Sequence, residues 1–142
     1  MREILFRAKR LDNGEWAEGF YVCLNGTEHM IYNGYAETDC GEFYPDYFQI
    51  DPETVCEYTG INDVTGNKIF EGDYLKLNED VKTTFDVKDG FVRYLGGTFY
   101  VGGNINTTLS SLYVLADFMF VMRGRVAGNI FDNPELLEEG AK

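Results

Sequence analysis

The chain has 142 residues, of which 44% are apolar, 25% charged and 15% aromatic, a profile that fits one ordinary globular domain or two small lobes. Its 11 Phe, 10 Tyr and single Trp exclude a chain that stays unfolded, and its longest apolar run, 112–122, contains Asp117 and is only about half a bilayer long. A formal net charge of −12 repels phosphate and argues against direct nucleic-acid binding.

In chain order, the first strand is predicted over 3–7, within a start that carries charges but no apolar stretch of signal-peptide length. Asp12-Asn13-Gly14 signals a hairpin before a strand over 16–22, and Asn25-Gly26 turns the chain again before 29–32. Residues 34–45 read as a loop, although Tyr35, Phe43 and Tyr44 make it aromatic. Strands follow over 47–50 and 54–58, with Pro52 in a short turn between them. Residues 63–68 form a turn, and Gly72-Asp73 opens a strand over 74–77 that alternates as a half-buried strand does. Strands over 91–94 and 98–101 join at Gly96-Gly97. Over 109–116 the apolar residues are too dense for periodicity to decide; a short helix is expected there, then a strand over 118–126 with Gly124 as a bulge. Asn133 is an N-cap candidate and Pro134 suits a first helical position, so 134–139 is predicted helical. Strands at short, regular intervals with glycine turns argue for small barrels or sandwiches.

The charge is uneven along this series. Residues 1–10 hold Arg2, Arg7, Lys9 and Arg10 against Glu3. Residues 11–60 hold no Lys or Arg and eleven acids: Asp12, Glu15, Glu18, Glu28, Glu37, Asp39, Glu42, Asp46, Asp51, Glu53 and Glu57. Unpaired carboxylates without a local cation must stay exposed. They form either a solubilising face or a surface for a basic protein, with imitation of DNA as a variant of the second.

Catalytic constellations are sparse. Cys23, Cys40 and Cys56 are an odd set that fits a reducing cytoplasm, and with His29 they give the spacing C-x5-H-x10-C-x15-C, which lacks the knuckle of structural zinc sites. Three separate buried thiols are expected, with no metal and no cofactor. His29 has no nucleophile motif beside it. Glu71-x-Asp73 is read as a turn cap rather than a metal chelate. Gly96-Gly97 and Gly102-Gly103 lack the Lys and Ser/Thr of a phosphate loop.

Three segments carry a family resemblance. The first is Arg2-Glu3-Ile4-Leu5-Phe6-Arg7-Ala8. The second is Thr54-Val55-Cys56-Glu57-Tyr58-Thr59-Gly60-Ile61-x-Asp63-x-x-Gly66-x-Lys68-Ile69-Phe70-Glu71-Gly72-Asp73. The third is Val126-x-Gly128-Asn129-Ile130-Phe131-Asp132-Asn133-Pro134-Glu135-Leu136-Leu137, with Ala127 where a larger aliphatic residue is common. In this order they resemble the YopX-like proteins of bacteriophages and prophages; 24–45 and 78–123 lie outside the motifs. The resemblance implies a mainly β fold in three parts: an acidic β-rich N-terminal lobe (1–53), an SH3-like small β-barrel (54–131) and a short C-terminal helical tail (132–142). It implies a bacterial cytoplasmic setting, and it brings no reaction, cofactor or catalytic residue.

The favoured function is a non-enzymatic accessory protein that binds a host or phage protein, with no membrane and no direct nucleic-acid partner. The expected binding residues are Glu37, Asp39, Glu42, Asp46, Phe43 and Tyr44, aromatic anchors inside an acidic rim. The alternatives are a DNA mimic that inhibits a host DNA-binding protein and an enzyme of unknown reaction. Open sheet edges leave a homo-oligomer beside a monomer with blunted edges. Val55, Tyr58, Ile61, Ile69 and Phe70 are expected to be buried, and Gly60, Gly66 and Gly72 to punctuate turns.

Overall fold

A computed structural model describes residues 1–77, 89–102 and 113–139. The chain divides into two compact units, Met1–Tyr58 and Thr59–Lys142. The first contains β1 (Phe6–Lys9), β2 (Trp16–Leu24), β3 (Glu28–Glu37), β4 (Phe43–Gln49), a 3-10 turn (Pro52–Thr54) and the start of β5 (Cys56–Asn62), whose last residues belong to the second unit. Its strands are antiparallel in the order β4-β3-β2-β1-β5.

Local chemistry explains these turns. Asn25 and Gly26 both take positive φ, 52° and 70°, the conformation for which the Asn-Gly pair is suited. Asp51 caps the 3-10 turn by accepting the Glu53 N–H, and Pro52 opens it, in the place the sequence predicts. The predicted loop over 34–45 is instead the body of a hairpin. β3 runs on to Glu37, β4 starts at Phe43, and the Thr38 N–H bonds the Glu42 carbonyl at 2.8 Å across the tip. Gly34 and Pro45 look like breakers but are absorbed locally. The register slips between Tyr32 and Tyr35, where Gly34 lies at φ 95°, a bulge of one residue on β3. Pro45 lies on a strand at the end of the sheet order, where a missing N–H is tolerated.

The sheet of the first unit curls. Arg10 and Ile50 make an isolated antiparallel bridge, and the Leu11 N–H reaches the Gln49 carbonyl at 2.9 Å. Small residues permit the curl: Ala8 and Ala17 face each other in register, and a Cβ on Gly19 would lie 2.1 Å from the Tyr32 carbonyl oxygen. The concave side holds the core of Ala8, Ala17, Ile31 and Ile50, with Phe6, Tyr21, Phe48 and Val55 packed against it.

The second unit contains β6 (Lys68–Phe70), β7 (Asp73–Lys76), β8 (Gly90–Leu95), β9 (Thr98–Gly102), β10 (Tyr113–Val114), α1 (Leu115–Met122), β11 (Arg125–Asn129) and α2 (Glu135–Glu139). Its sheet has the order β10-β9-β8-β7-β11. Ile69, Leu75, Val92, Val101, Leu115 and Phe118 form its core. The described strands do not close: β10 and β11 stand at opposite ends. The architecture is therefore mainly β, with antiparallel sheets and two short helices, rather than the closed small barrel expected from sequence.

The predicted strand over 118–126 is corrected as well. Residues up to Met122 are helical, and the strand starts only at Arg125. Leu115 and Phe118, three residues apart, share the buried face of α1 at 1% and 2% exposure. Arg123 takes the left-handed conformation at φ 50° and ends the helix. The bulge falls between Val126 and Gly128 rather than at Gly124. The expected helical stretch over 109–112 lies outside the described residues. Tyr58, Ile69 and Phe70 are buried as expected, and Val55 and Ile61 are half-buried. Gly60, Gly66 and Gly72 all take positive φ.

Candidate functional site

Pleating sorts the residues of the first unit between two faces, because paired residues share a side and successive residues alternate. Ala8, Ala17, Ile31 and Phe48 point to the core. The opposite, outer face therefore collects Arg7, Lys9, Trp16, Glu18, Phe20, Tyr32, Tyr35, Glu37, Phe43, Pro45 and Tyr47, through the register Lys9↔Trp16, Arg7↔Glu18, Phe20↔Tyr32, Tyr32↔Tyr47, Tyr35↔Pro45 and Glu37↔Phe43.

Four of these side chains, Phe20, Tyr32, Tyr35 and Tyr47, form an aromatic band, and Phe43 is exposed on the same face. Tyr32 is its hub: its ring centroid lies 6.4 Å from Phe20 in a stacked arrangement, 6.1 Å from Tyr35 edge-on, and 5.2 Å from Tyr47, distances at which aromatic pairs attract. Partial burial pushes the Tyr32 phenol above its ordinary pKa, followed by its hydrogen bond to Tyr35 and the nearness of Tyr35 and Tyr47. The rings nevertheless face outward. Phe20 is 56% exposed, Tyr35 68% and Phe43 70%. Extended apolar surface of this kind marks interaction sites.

The bulge at Tyr32/Tyr35 builds the band: without the extra residue, Tyr35 would fall on the core side of β3. At the other end of the face Arg7 and Lys9 stand over Trp16, 4.6 and 5.4 Å from its ring centroid. Arg10 bonds Asp12 at 2.6 Å, and this hydrogen bond above all holds the Asp12 carboxyl below its usual range. Within the first turn the basic start of the chain thus neutralises one of the acids of 11–60.

The predicted binding residues divide between the two sides. Glu37 and Phe43 lie on the outer face, directly paired. Asp39 and Glu42 occupy the exposed hairpin tip, where the Glu42 N–H is held by the Thr38 hydroxyl. Tyr44 pairs with Ala36 on the opposite side of the strand from Phe43, and Asp46, half-buried, shares its parity. Sequence reasoning missed Phe20, Tyr32, Tyr35 and Tyr47 as companions of Phe43. The alternation 43, 45, 47 was a usable signal, obscured because 34–45 reads as a loop. None of the eleven acids over 11–60 is fully buried; eight are exposed, and Asp46, Asp51 and Glu57 are half-buried.

The remaining polar motifs are occupied by the fold. Cys56 is buried, but Cys23 and Cys40 are exposed, against the expectation of three buried thiols, because both lie toward strand ends or turns. His29 stacks on Tyr21, and its Nδ1 hydrogen-bonds the Tyr21 hydroxyl. Burial raises the pKa of Tyr21, with a further contribution from Cys23. Asp73, fully buried, accepts the Phe70 N–H at 2.8 Å, a turn cap as predicted. Asp63 accepts four bonds, from the Thr65 and Asn67 N–H groups, the Thr65 hydroxyl and the Val126 N–H. Burial opposes the charged form of Asp63, and these donors overcome it, holding the carboxyl below its ordinary value. Asn129 accepts the Phe131 and Asp132 N–H groups and donates to the Asp132 carboxylate. The Asn133 side chain turns back to the Asn129 N–H, and its backbone carbonyl accepts the Leu136 N–H. Among the described residues no three His, Cys, Asp or Glu side chains gather to hold a metal, and no helix is long and apolar enough to cross a membrane.

A family model described as YopX protein matches residues 5–138. The crystal structure of protein EF1440 from Enterococcus faecalis is similar to this chain, with a TM-score of 0.60 at 21% identity, over 96% of this chain and 99% of that one. At that identity the likeness shows the fold alone. No curated protein matches the chain.

Proposed function

This chain belongs to the YopX family, and we propose that it is a non-catalytic phage accessory protein of the bacterial cytoplasm that binds a host or phage protein through the outer face of its first unit. The observation that carries this reading is the band of exposed rings around Tyr32. Clustered, rigid aromatics supply most of the binding energy in protein interfaces, and a charged rim sets encounter rate and partner choice. The hairpin tip provides such a rim in Glu37, Asp39 and Glu42. The non-catalytic reading is supported by the use of the buried carboxylates: Asp63 and Asp73 are engaged by backbone N–H groups rather than aimed at a cleft.

Affinity capture from infected or lysogenic cells tests the reading. The double variant Tyr35→Ala, Phe43→Ala is expected to lose the protein that the unmodified chain captures, at unchanged thermal stability. Equal capture overturns it. The DNA-mimic alternative rests on the exposed acids and predicts the opposite pattern, in which neutralising the acids abolishes capture and removing the rings does not.

A further inference from the structure

The outer face also indicates what kind of segment it takes. We infer that the aromatic band binds an arginine-bearing segment of the partner, with guanidinium groups stacked on Tyr32, Tyr35 and Tyr47 and the carboxylates of Glu37, Asp39 and Glu42 alongside. This rests on the proposed binding role of the face and assigns the partner's chemistry. Three observations support it.

The same face already performs this recognition within the molecule. Arg7 and Lys9 stand over Trp16 at the β1 end, and Trp16 shares the outer side with Phe20 and Tyr32 through the pleat of β2. A cation over an aromatic face is attracted by the ring quadrupole, and guanidinium does this best because it is planar and weakly hydrated. Toward the hairpin tip the rings continue but the cations stop. Among the described residues no cationic group stands over Phe20, Tyr32, Tyr35, Phe43 or Tyr47, and residues 11–60 contain no Lys or Arg that could supply one.

Charge complementarity points the same way. Glu37 is paired with Phe43 on this face, and Asp39 and Glu42 are exposed at the tip of the same hairpin. A carboxylate next to a ring accepts the guanidinium N–H groups at its edge while the ring takes its plane. An acidic or purely apolar segment would leave these charges desolvated without a partner.

The third observation concerns the docking mode. The bonds at both limits of β4 involve even positions, the Glu42 carbonyl and the Ile50 N–H, so the backbone of Pro45 is turned to the open edge, where it has no N–H to offer. Near the other end of the strand the Gln49 carbonyl is already taken by the Leu11 N–H. The edge is thereby blunted against strand addition, and a partner segment is left the face, where side chains rather than backbone provide recognition.

Calorimetric titration with three synthetic twelve-residue peptides tests the inference: alternating Arg-Gly, alternating Lys-Gly, and alternating citrulline-Gly. The arginine peptide is expected to bind the intact chain about tenfold or more tighter than the lysine peptide, a factor equivalent to roughly 1.4 kcal/mol of ring stacking. The citrulline peptide, planar but neutral, is expected not to bind. Tyr35→Ala with Tyr47→Ala is expected to abolish the arginine preference. Tyr35→Leu with Tyr47→Leu, which keeps apolar bulk, is expected to do the same, and Tyr94→Ala in the second unit to leave it unchanged. Equal affinity for arginine and lysine peptides that survives both tyrosine variants overturns the inference, as does absence of arginine-peptide binding. If the peptide fails to bind while Tyr35→Ala, Phe43→Ala still abolishes cellular capture, the face binds protein but not through arginine. If both fail, the binding role of the face falls with it.

Discussion

In the first unit Tyr35 and Phe43 stand 68% and 70% exposed, whereas in the second Phe70, Phe91 and Phe118 retain 2%, 3% and 2%. The acids divide in the same way. Glu37, Asp39 and Glu42 lie in solvent, while Asp63 and Asp73 are buried and bonded to backbone N–H groups. The difference separates two uses of the same residue types. The residues that resemble the family's signature, from Asp63 to Asp73 and from Gly128 to Asn133, build turns and tie them to β11. Of the aromatics of the outer face, Tyr32, Tyr35 and Phe43 lie in 24–45, and Phe20 and Tyr47 flank it, all outside those segments. A motif here marks the scaffold, and the candidate binding surface must be found by geometry. The second unit also exposes Tyr94, Tyr113, Val114 and Phe120; Tyr94 pairs with Phe99, and Tyr113 and Val114 adjoin 103–112, which lie outside the described residues.

Substitutions in the second unit offer the strongest way to break this comparison. Ile69 is fully buried, and Ile69→Ala is expected to destabilise the protein by about 2–4 kcal/mol through the cavity it leaves, measured by urea unfolding. A loss under about 0.5 kcal/mol would put Ile69 on the surface and undo the core assignment.

Asp63→Ala is expected to cost roughly 1–3 kcal/mol, because it removes the acceptor of several N–H groups at once. The pH dependence sharpens the point. The folded carboxyl titrates below the unfolded value of about 3.9, so its contribution is fully present above about pH 4 and is lost as pH falls through the lower, folded value. Urea midpoints from pH 7 to pH 2.5 are therefore expected to fall less steeply for Asp63→Asn than for the unmodified chain. Parallel curves would remove Asp63 from the turn's energetics.

Gly72→Ala comes next. At φ 85° a Cβ is strained, and it would also press on the Ile130 side chain at 3.3 Å. A loss of about 1–2 kcal/mol is expected, against no such crowding at Gly14, where a Cβ meets open space. Equal losses at the two sites would assign the cost to backbone strain alone.

The smallest effects are expected from the acids of the first unit. Exchanging Glu37, Asp39, Glu42 and Asp46 for Gln or Asn is expected to change stability by less than about 0.5 kcal/mol while weakening partner capture. A thermal melt that drops sharply would make the acids structural, and unchanged capture would make them merely solubilising.

Much of the fold was legible because local signals agree with it. Asn25-Gly26, Asp51-Pro52 and the turn at 63–68 each carry their conformation in their own side chains. The charge pattern likewise required exposed acids over 11–60. Two assignments failed where tertiary packing overrides local pattern. Residues 118–122 have strand-like composition but form a helix, because Leu115 and Phe118 at a three-residue spacing fill the core beside Val92 and Val101. Residues 34–45 contain Gly34 and Pro45, yet form strands, because a bulge absorbs one and an open edge tolerates the other. That bulge is what places Tyr35 beside Tyr32 and Tyr47. A one-residue slip in register moves side chains from one face of a sheet to the other, and no linear reading of the aromatics counts it. Sequence alone determined that the aromatics and acids are present together without a cation among them; which of them share a face was decided only by the pairing of β2, β3 and β4.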